Sequence, residues 1–145
     1  MDTEKLLKLL KEHRVKFVII GATAFPVYGY SRATLDIDIF IKAARLNAKR
    51  TYKALEKFGY DMTDITIDDL LTKKLLIRQY IVETDIHPFV KGITFTKVWK
   101  DRKRARFKNT LVPFASLNDL IKMKKAAGRP QDLEDLKYLK RLKKI

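Results

Sequence analysis

The sequence predicts an α+β domain in which helices flank a small mixed β-sheet and the C-terminal end is helical and basic. Short runs rich in β-branched and aromatic residues, typical of buried strands, alternate with amphipathic segments whose apolar residues recur at helical spacing. The sequence contains no internal repeat and no low-complexity linker. Its 145 residues are enough for one hydrophobic core, so we expect residues 1–145 to form a single domain.

Hydrophobic spacing, glycine and proline predict the elements of the N-terminal part. Leucines recur among lysines in the first segment, which predicts an amphipathic helix, and the runs VKFVII and TLDIDIFI have the composition of strands. Gly21 ends the first strand, Pro26 is tolerated near the start of a short helix, and Gly59 is a helix stop. The predicted elements are a helix at 3–13, a strand at 15–20, a short helix at 21–30, a strand at 34–41 and a helix at 45–58.

A second set of strand-like runs and several capping residues predict the elements of the C-terminal part. The run LLIRQYIVETDIHPF is extended, as two strands or one bent strand, and Pro88 ends it. Ser116 is a candidate N-cap, Gly128 ends the same helix, and Pro130 suits the first turn of the last helix. The predicted elements are a short helix at 63–73, extended residues at 75–89, a helix at 94–105, extended residues at 106–114 around an Asn-Thr turn, and helices at 116–128 and 130–144.

The composition bounds the class of protein. Cysteine is absent, which excludes a disulfide framework and a thiolate metal site. No apolar stretch approaches the length of a membrane span, and the first 13 residues contain no signal-peptide run. We therefore expect a cytoplasmic protein without a membrane partner.

The positive charge is large and uneven. The formal net charge is +15, from 32 basic and 17 acidic side chains. Residues 1–90 hold 15 basic and 12 acidic side chains, whereas residues 91–145 hold 17 basic and 5 acidic ones. This asymmetry predicts a polyanionic partner, because lysine and arginine neutralise phosphates. Lysine enrichment with only 2 Gln and 3 Asn is also typical of thermophile proteins, so both interpretations stay open.

Two carboxylates one residue apart, Asp36 and Asp38, lie within a strand-like run of isoleucine and phenylalanine. Side chains two positions apart in a strand share a face, at about 6.5–7 Å. Two like charges beside a hydrophobic layer repel each other and resist desolvation, but a divalent cation between them makes the arrangement favourable. The alternative is that both carboxylates are solvated on the outer face of an edge strand.

The surroundings of the pair favour a phosphate-containing substrate. Gly21 lies after a strand and before a helix, where backbone N–H groups approach a phosphate closely. Arg32 and Thr34 precede the carboxylates and add a cation and a hydroxyl.

Two separated segments resemble the DNA polymerase beta-like nucleotidyltransferase superfamily. The first is the run Ile-Gly-Ala, followed after thirteen residues by Asp-Ile-Asp-Ile. The second is KMKKAAGRPQDLEDLKYL, which is similar to the closing segment of small bacterial and archaeal nucleotidyltransferase-like proteins, including abortive-infection toxins and minimal nucleotidyltransferases. The resemblance covers about Val15 to Leu139 and implies the nucleotidyltransferase fold.

The resemblance implies roles for individual residues at the catalytic centre. Asp36 and Asp38 would be metal ligands, and Asp85 would be the third catalytic carboxylate and metal ligand. Strand parity places Glu83 and His87 on the same face as Asp85, which leaves Glu83 as an alternative. The implied cofactors are two Mg²⁺ ions, with Mn²⁺ as a substitute.

The implied nucleotide-binding residues come from both segments. They are Gly21, Ala22, Arg32, Thr34, Lys124 and Arg129. Ala22 is a departure, because the family usually has Gly or Ser at this position. Lys124 and Arg129, with Asp132, are expected to form a polar cluster at the mouth of the site.

The implied reaction moves a nucleoside monophosphate from a nucleoside triphosphate to an acceptor hydroxyl. RNA, tRNA or a protein is favoured as the acceptor over a small molecule such as an aminoglycoside, since a basic surface adds little for a cationic drug. Trp99 and Phe107 lie among basic residues and are candidates for base stacking. Two alternatives stay open: a catalytically weak component of a toxin–antitoxin pair, acting with a partner protein, and an RNA-binding module without chemistry.

Overall fold

A computed structural model describes residues 2–79 and 82–143. Six strands and six α-helices alternate along this part of the chain, with one 3₁₀-helix after the first strand. They are α1 (Asp2–Glu12), β1 (Phe17–Ile20), the 3₁₀-helix (Gly21–Tyr28), β2 (Asp36–Ile41), α2 (Arg45–Phe58), α3 (Ile67–Thr72), β3 (Leu75–Ile77), β4 (Glu83–His87), α4 (Phe95–Lys100), β5 (Lys103–Phe107), β6 (Thr110–Phe114), α5 (Leu117–Ala127) and α6 (Pro130–Lys143). Residues 80 and 81 of the predicted extended run, and residue 144 of the predicted last helix, lie outside the described residues.

The strands form one mixed sheet in the order β3-β4-β2-β1-β6-β5. Strand β2 is antiparallel to β1 and parallel to β4, and β1 is parallel to β6. Two antiparallel pairs, β3 with β4 and β5 with β6, complete the two edges. The predicted α+β class with a mixed sheet and helices is therefore confirmed.

The hydrophobic core connects the sheet with helices from both ends of the chain. Ile19 and Ile39, register partners on β1 and β2, are fully buried. Leu6 and Leu10 of α1 and Leu139 of α6 are fully buried in the same cluster. Burying a leucine side chain completely contributes about 1.5–3 kcal/mol, so these leucines stabilise the packing of both helices against the sheet.

Two predicted helices differ from the observed ones. The helix expected at 94–105 ends at Lys100, and Lys103–Phe107 forms the edge strand β5 instead. Pairing along β6 outweighs the local helix preference of this basic run, as tertiary contacts commonly do. The short helix expected at 63–73 covers only Ile67–Thr72, where Thr66 and Asp69 form a capping box.

None of the helices in the described part of the chain is long and apolar enough to cross a membrane.

Candidate active site

Parallel pairing of β2 and β4 brings acidic side chains together on one face of the sheet. Asp36 is the register partner of Glu83, and Asp38 is the partner of Asp85. Asp38, Asp85 and His87 each offer a ligand atom within 4.8 Å of the others. The His87 Nε2 atom lies 2.8 Å from Asp38 Oδ1 in a hydrogen bond. The two strands thus join the predicted residues of the catalytic centre and add His87 to them.

Asp85 is the most buried carboxylate of this group, with 4% of its surface exposed. Burial raises its pKa, a hydrogen bond from Arg78 opposes that effect, and the carboxylates of Asp38 and Asp36 raise the pKa further. These influences require the three aspartates to lie close to one another. A cation at this point of the sheet would be strongly favoured.

Arg78, between β3 and β4, supplies a positive charge that the sequence reasoning missed. Its Nη1 atom donates to Asp85 Oδ1 at 2.6 Å, its Nη2 lies 3.8 Å from Asp36 Oδ2, and its Nε lies 3.7 Å from Glu83 Oε2. The hydrogen bond to Asp85 raises the pKa of Arg78. The available signal was a single charged residue in the apolar run LLIRQYIV.

The backbone at Gly21 lies close to the Asp38 carboxylate. Its φ angle is +71°, and a Cβ atom at this position would lie 2.6 Å from Asp38 Oδ2. Any larger residue would collide with the carboxylate and strain the backbone. Ala22 follows with 6% of its surface exposed, packed into the hydrophobic core. Its methyl group therefore replaces the usual glycine or serine at a buried position.

A cavity of about 150 Å³ lies beside Asp38 and contains the predicted C-terminal cluster. Gly21, Lys124, Arg129 and Asp132 line it, together with His87 and Lys74. Lys124 Nζ lies 3.1 Å from Asp132 Oδ1, and Arg129 Nε lies 2.7 Å from Asp132 Oδ2. The predicted polar cluster therefore faces the same space as Asp38.

The charges of this cluster are arranged around one ionised carboxylate. Burial opposes the ionisation of Asp132, but hydrogen bonds from Arg129 and Lys124 lower its pKa to about 2. The Arg129 side chain is 72% exposed. It can therefore reach a ligand in the cavity while its backbone N–H remains bonded to Asp132.

Arg32 and Thr34 lie on the other side of the aspartate pair. The Thr34 hydroxyl donates to Asp36 Oδ1 at 3.0 Å. Arg32 donates through Nε and Nη2 to the two oxygens of buried Asp135, at 2.8 and 2.9 Å. Its guanidinium therefore joins the loop before β2 to α6, and a phosphate contact would require it to change partners. Both residues line a second cavity of about 350 Å³ beside Asp36.

The donor set fits a divalent cation. Carboxylate oxygens, which Asp38 and Asp85 supply, are the ligands that Mg²⁺ and Mn²⁺ prefer. The nitrogen of His87 suits a transition metal better than Mg²⁺. Arg78 already provides a positive charge to Asp85, so a cation bound there would compete with its guanidinium.

By its family the chain is a nucleotidyltransferase, and its fold is one that nucleotidyltransferases share. Two solved structures share the fold. The first is a candidate nucleotidyltransferase (TM1012) from Thermotoga maritima, with a TM-score of 0.63 and 16% identity, and the match covers 96% of this chain and 91% of that one. The second is the lincosamide antibiotic adenylyltransferase LnuA in its lincomycin-bound form, with a TM-score of 0.66 and 17% identity, and the match covers 97% of this chain and 96% of that one. Residues 1–145 match the family described as "Nucleotidyltransferase of unknown function (DUF6036)", and the chain belongs to that family. Among curated proteins, no relative matches the chain.

These findings confirm the superfamily and the fold that the two sequence segments predicted. The nucleotidyltransferase class is likewise confirmed, whereas the roles of individual residues stay predictions.

Proposed function

We propose that the protein is a divalent-cation-dependent nucleotidyltransferase that moves a nucleoside monophosphate from a nucleoside triphosphate to the hydroxyl group of an acceptor. The observation that carries this proposal is the parallel register of β2 and β4, which places Asp38 beside Asp85 and Asp36 beside Glu83. Gly21 adds a backbone segment beside Asp38, where a side chain would collide with the carboxylate. Membership of a nucleotidyltransferase family supports the reaction class.

The carboxylates would hold the cations and receive the proton. Asp36, Asp38 and Asp85 would bind two Mg²⁺ ions, for which Mn²⁺ can substitute. When bound, the ions would supply positive charge to phosphate oxygens. The acceptor oxygen would attack the α-phosphorus, the bond from that phosphorus to the oxygen bridging the β-phosphate would break, and pyrophosphate would leave with the bonding electrons. The acceptor proton would pass to a carboxylate oxygen, for which Asp85, the buried third carboxylate, is the candidate.

The cavity beside Asp38 would hold the triphosphate. The backbone at Gly21 and Ala22 can approach phosphate oxygens closely, and Lys124 and Arg129 face the same space. Lys74 is an additional cation on the lining. Positioning and charge neutralisation are the main requirements of phosphoryl transfer, so these groups are sufficient for the nucleotide side.

The acceptor is the least determined part of the reaction. The excess of basic residues after position 90 favours RNA or tRNA. The similar structure of a lincosamide adenylyltransferase makes a small hydroxyl compound the second candidate, and ATP a reasonable first nucleotide to examine. A role in a toxin–antitoxin pair with a partner protein stays a prediction, as does heat adaptation.

Calorimetric titration of the four nucleoside triphosphates, with and without Mg²⁺, tests this function. We expect Mg²⁺-dependent binding by the wild type and a loss of at least about tenfold in affinity in Asp38→Asn, because one metal ligand is removed. Asp68→Asn, an exposed aspartate on α3, is the matched control and should bind like the wild type. Absence of binding by the folded wild type at millimolar nucleotide would contradict the proposal.

A further inference from the structure

The cavity beside Asp36 shares lining residues with a second cavity that reaches the edge strand β5. The first has a volume of about 350 Å³ and the second about 360 Å³. Both are lined by Thr23 and Pro26 of the 3₁₀-helix and by Phe107 of β5. Together they form one groove, the edge groove, which runs from the carboxylate of Asp36 to strand β5.

The far end of the edge groove is basic. Lys103, Arg106 and Lys108 line it, and all three side chains are exposed. Within the part of the chain that the structure describes, none of the three forms an ion pair. Lys124 and Arg129 of the triphosphate cavity differ, since both already contact Asp132. Unpaired cations along a groove attract a ligand with several negative charges.

The length of the edge groove matches a chain better than a small molecule. Strands β2 and β5 are separated by β1 and β6, so they lie three strand spacings apart, on the order of 14 Å. Phe107, which is partly exposed, lines both cavities and is a candidate for contact with a base. The ring of Trp99 already stacks on Phe95 and carries the Arg102 guanidinium 3.8 Å from its centroid, so a base would have to displace these partners.

We propose that the edge groove binds a single-stranded RNA acceptor, with its phosphates against Lys103, Arg106 and Lys108 and its reacting hydroxyl beside Asp36. This inference rests on the proposed nucleotidyltransferase function and assigns its acceptor. The acceptor hydroxyl enters from the side of Asp36, while the nucleoside triphosphate occupies the cavity on the side of Asp38. The two substrates therefore reach the aspartate pair from different cavities.

Fluorescence anisotropy with a labelled single-stranded RNA of about 12 nucleotides tests the groove. The variant replaces Lys103, Arg106 and Lys108 with Gln, and the control replaces Lys49, Lys53 and Lys57, exposed on α2, with Gln. Both triple variants lose the same charge. We expect the groove variant to bind RNA at least about tenfold more weakly, with the slope of log affinity against log salt reduced by about 2. The control should remain within about twofold of the wild type.

Two results would overturn the groove assignment. Equal losses in the two triple variants would show that RNA responds only to net charge, and the cations of β5 would then only protect an edge strand from pairing with other chains. Triphosphate binding without RNA binding by the wild type would exclude RNA as the acceptor and leave a protein or a small molecule. Calorimetry with Mg²⁺ and nucleotide tests the nucleotidyltransferase function separately from the RNA groove. The groove variant should bind the nucleotide with wild-type affinity even where it no longer binds RNA.

Discussion

At the scale of single residues, Arg78 offsets the negative charge of Asp36 and Asp85, which share one face of the sheet. Its guanidinium lies 2.6 Å from Asp85 and 3.8 Å from Asp36. Buried carboxylates otherwise repel one another and lose hydration, so the arginine neutralises the charge that a divalent cation would neutralise. The arginine and the cation are therefore competitors for the same oxygens.

Replacing Arg78 with Gln should strengthen metal binding. Removal of the competing guanidinium leaves the carboxylate oxygens free, and we expect the affinity for Mn²⁺ without nucleotide to rise by about tenfold. The free energy of unfolding without metal should fall, because Asp85 loses its partner. Titration followed by electron paramagnetic resonance measures the affinity. Arg45→Gln removes an arginine from an exposed ion pair and should change neither quantity appreciably. Unchanged or weaker Mn²⁺ binding in Arg78→Gln would show that the arginine supports the site instead of competing for it.

The site residues that could be predicted from the sequence are those that lie close together in the chain or belong to a family motif. Asp36 and Asp38 are two positions apart in one strand, so their common face follows from strand geometry alone. Asp85 was identified only through family resemblance and strand parity. Arg78 contacts Asp36 and Asp85 from the segment that follows β3, and the Arg32 pair with Asp135 joins positions more than a hundred residues apart. No local pattern encodes such contacts, because they depend on how the elements pack.

At the scale of elements, buried ion pairs fix helices α5 and α6 beside the site. Asp135 of α6 is fully buried and accepts hydrogen bonds from Arg32 and from the hydroxyl of Tyr30. Lys124 of α5 lies 3.3 Å from the same carboxylate. Burial opposes ionisation, but Arg32 and Lys124 hold the pKa of Asp135 below its usual range. One aspartate thus connects two helices to the loop that precedes the catalytic strand.

Replacing Asp135 with Ala should destabilise the protein by roughly 3–5 kcal/mol, because it leaves the charge of Lys124 largely buried without one of its partners. Urea denaturation measures the change as a shift in midpoint at constant slope. Asp68→Ala removes an aspartate that is 75% exposed from its pair with Arg45, and it should cost far less. Similar losses in the two variants would mean that the buried pair does not hold the helices in place.

Local helix preference gives the wrong secondary structure for the residues of β5. The basic run after Phe95 predicts a helix through residue 105, yet β5 begins at Lys103 because β6 offers it a complete antiparallel partner. A hairpin partner outweighs a preference of a few tenths of a kcal/mol per residue. Strand β5 lines the edge groove. A prediction of helix for these residues therefore could not have revealed the groove.

At the scale of the whole molecule, one hydrophobic cluster contains residues from the first helix to the last. Leu6 of α1, Ile39 of β2 and Leu139 of α6 belong to it, and each is fully buried. The proposed triphosphate cavity and the edge groove both lie against elements that this cluster holds. We therefore propose that the chain is a single cooperative domain, in which the two substrate sites are lost together on unfolding.

Heating should accordingly produce one unfolding transition. For a chain of 145 residues we expect an enthalpy on the order of 100 kcal/mol near 60 °C, equal by calorimetry and by van't Hoff analysis. Adding Mg²⁺ with a nucleoside triphosphate should shift the entire transition upward, because a ligand that binds only the native state stabilises all of it. Scanning calorimetry with and without these ligands provides the measurement, and Asp38→Asn should lose the ligand-induced shift while retaining a single peak. Two separable transitions, or a shift confined to part of the heat absorption, would show that the C-terminal helices form an independent unit.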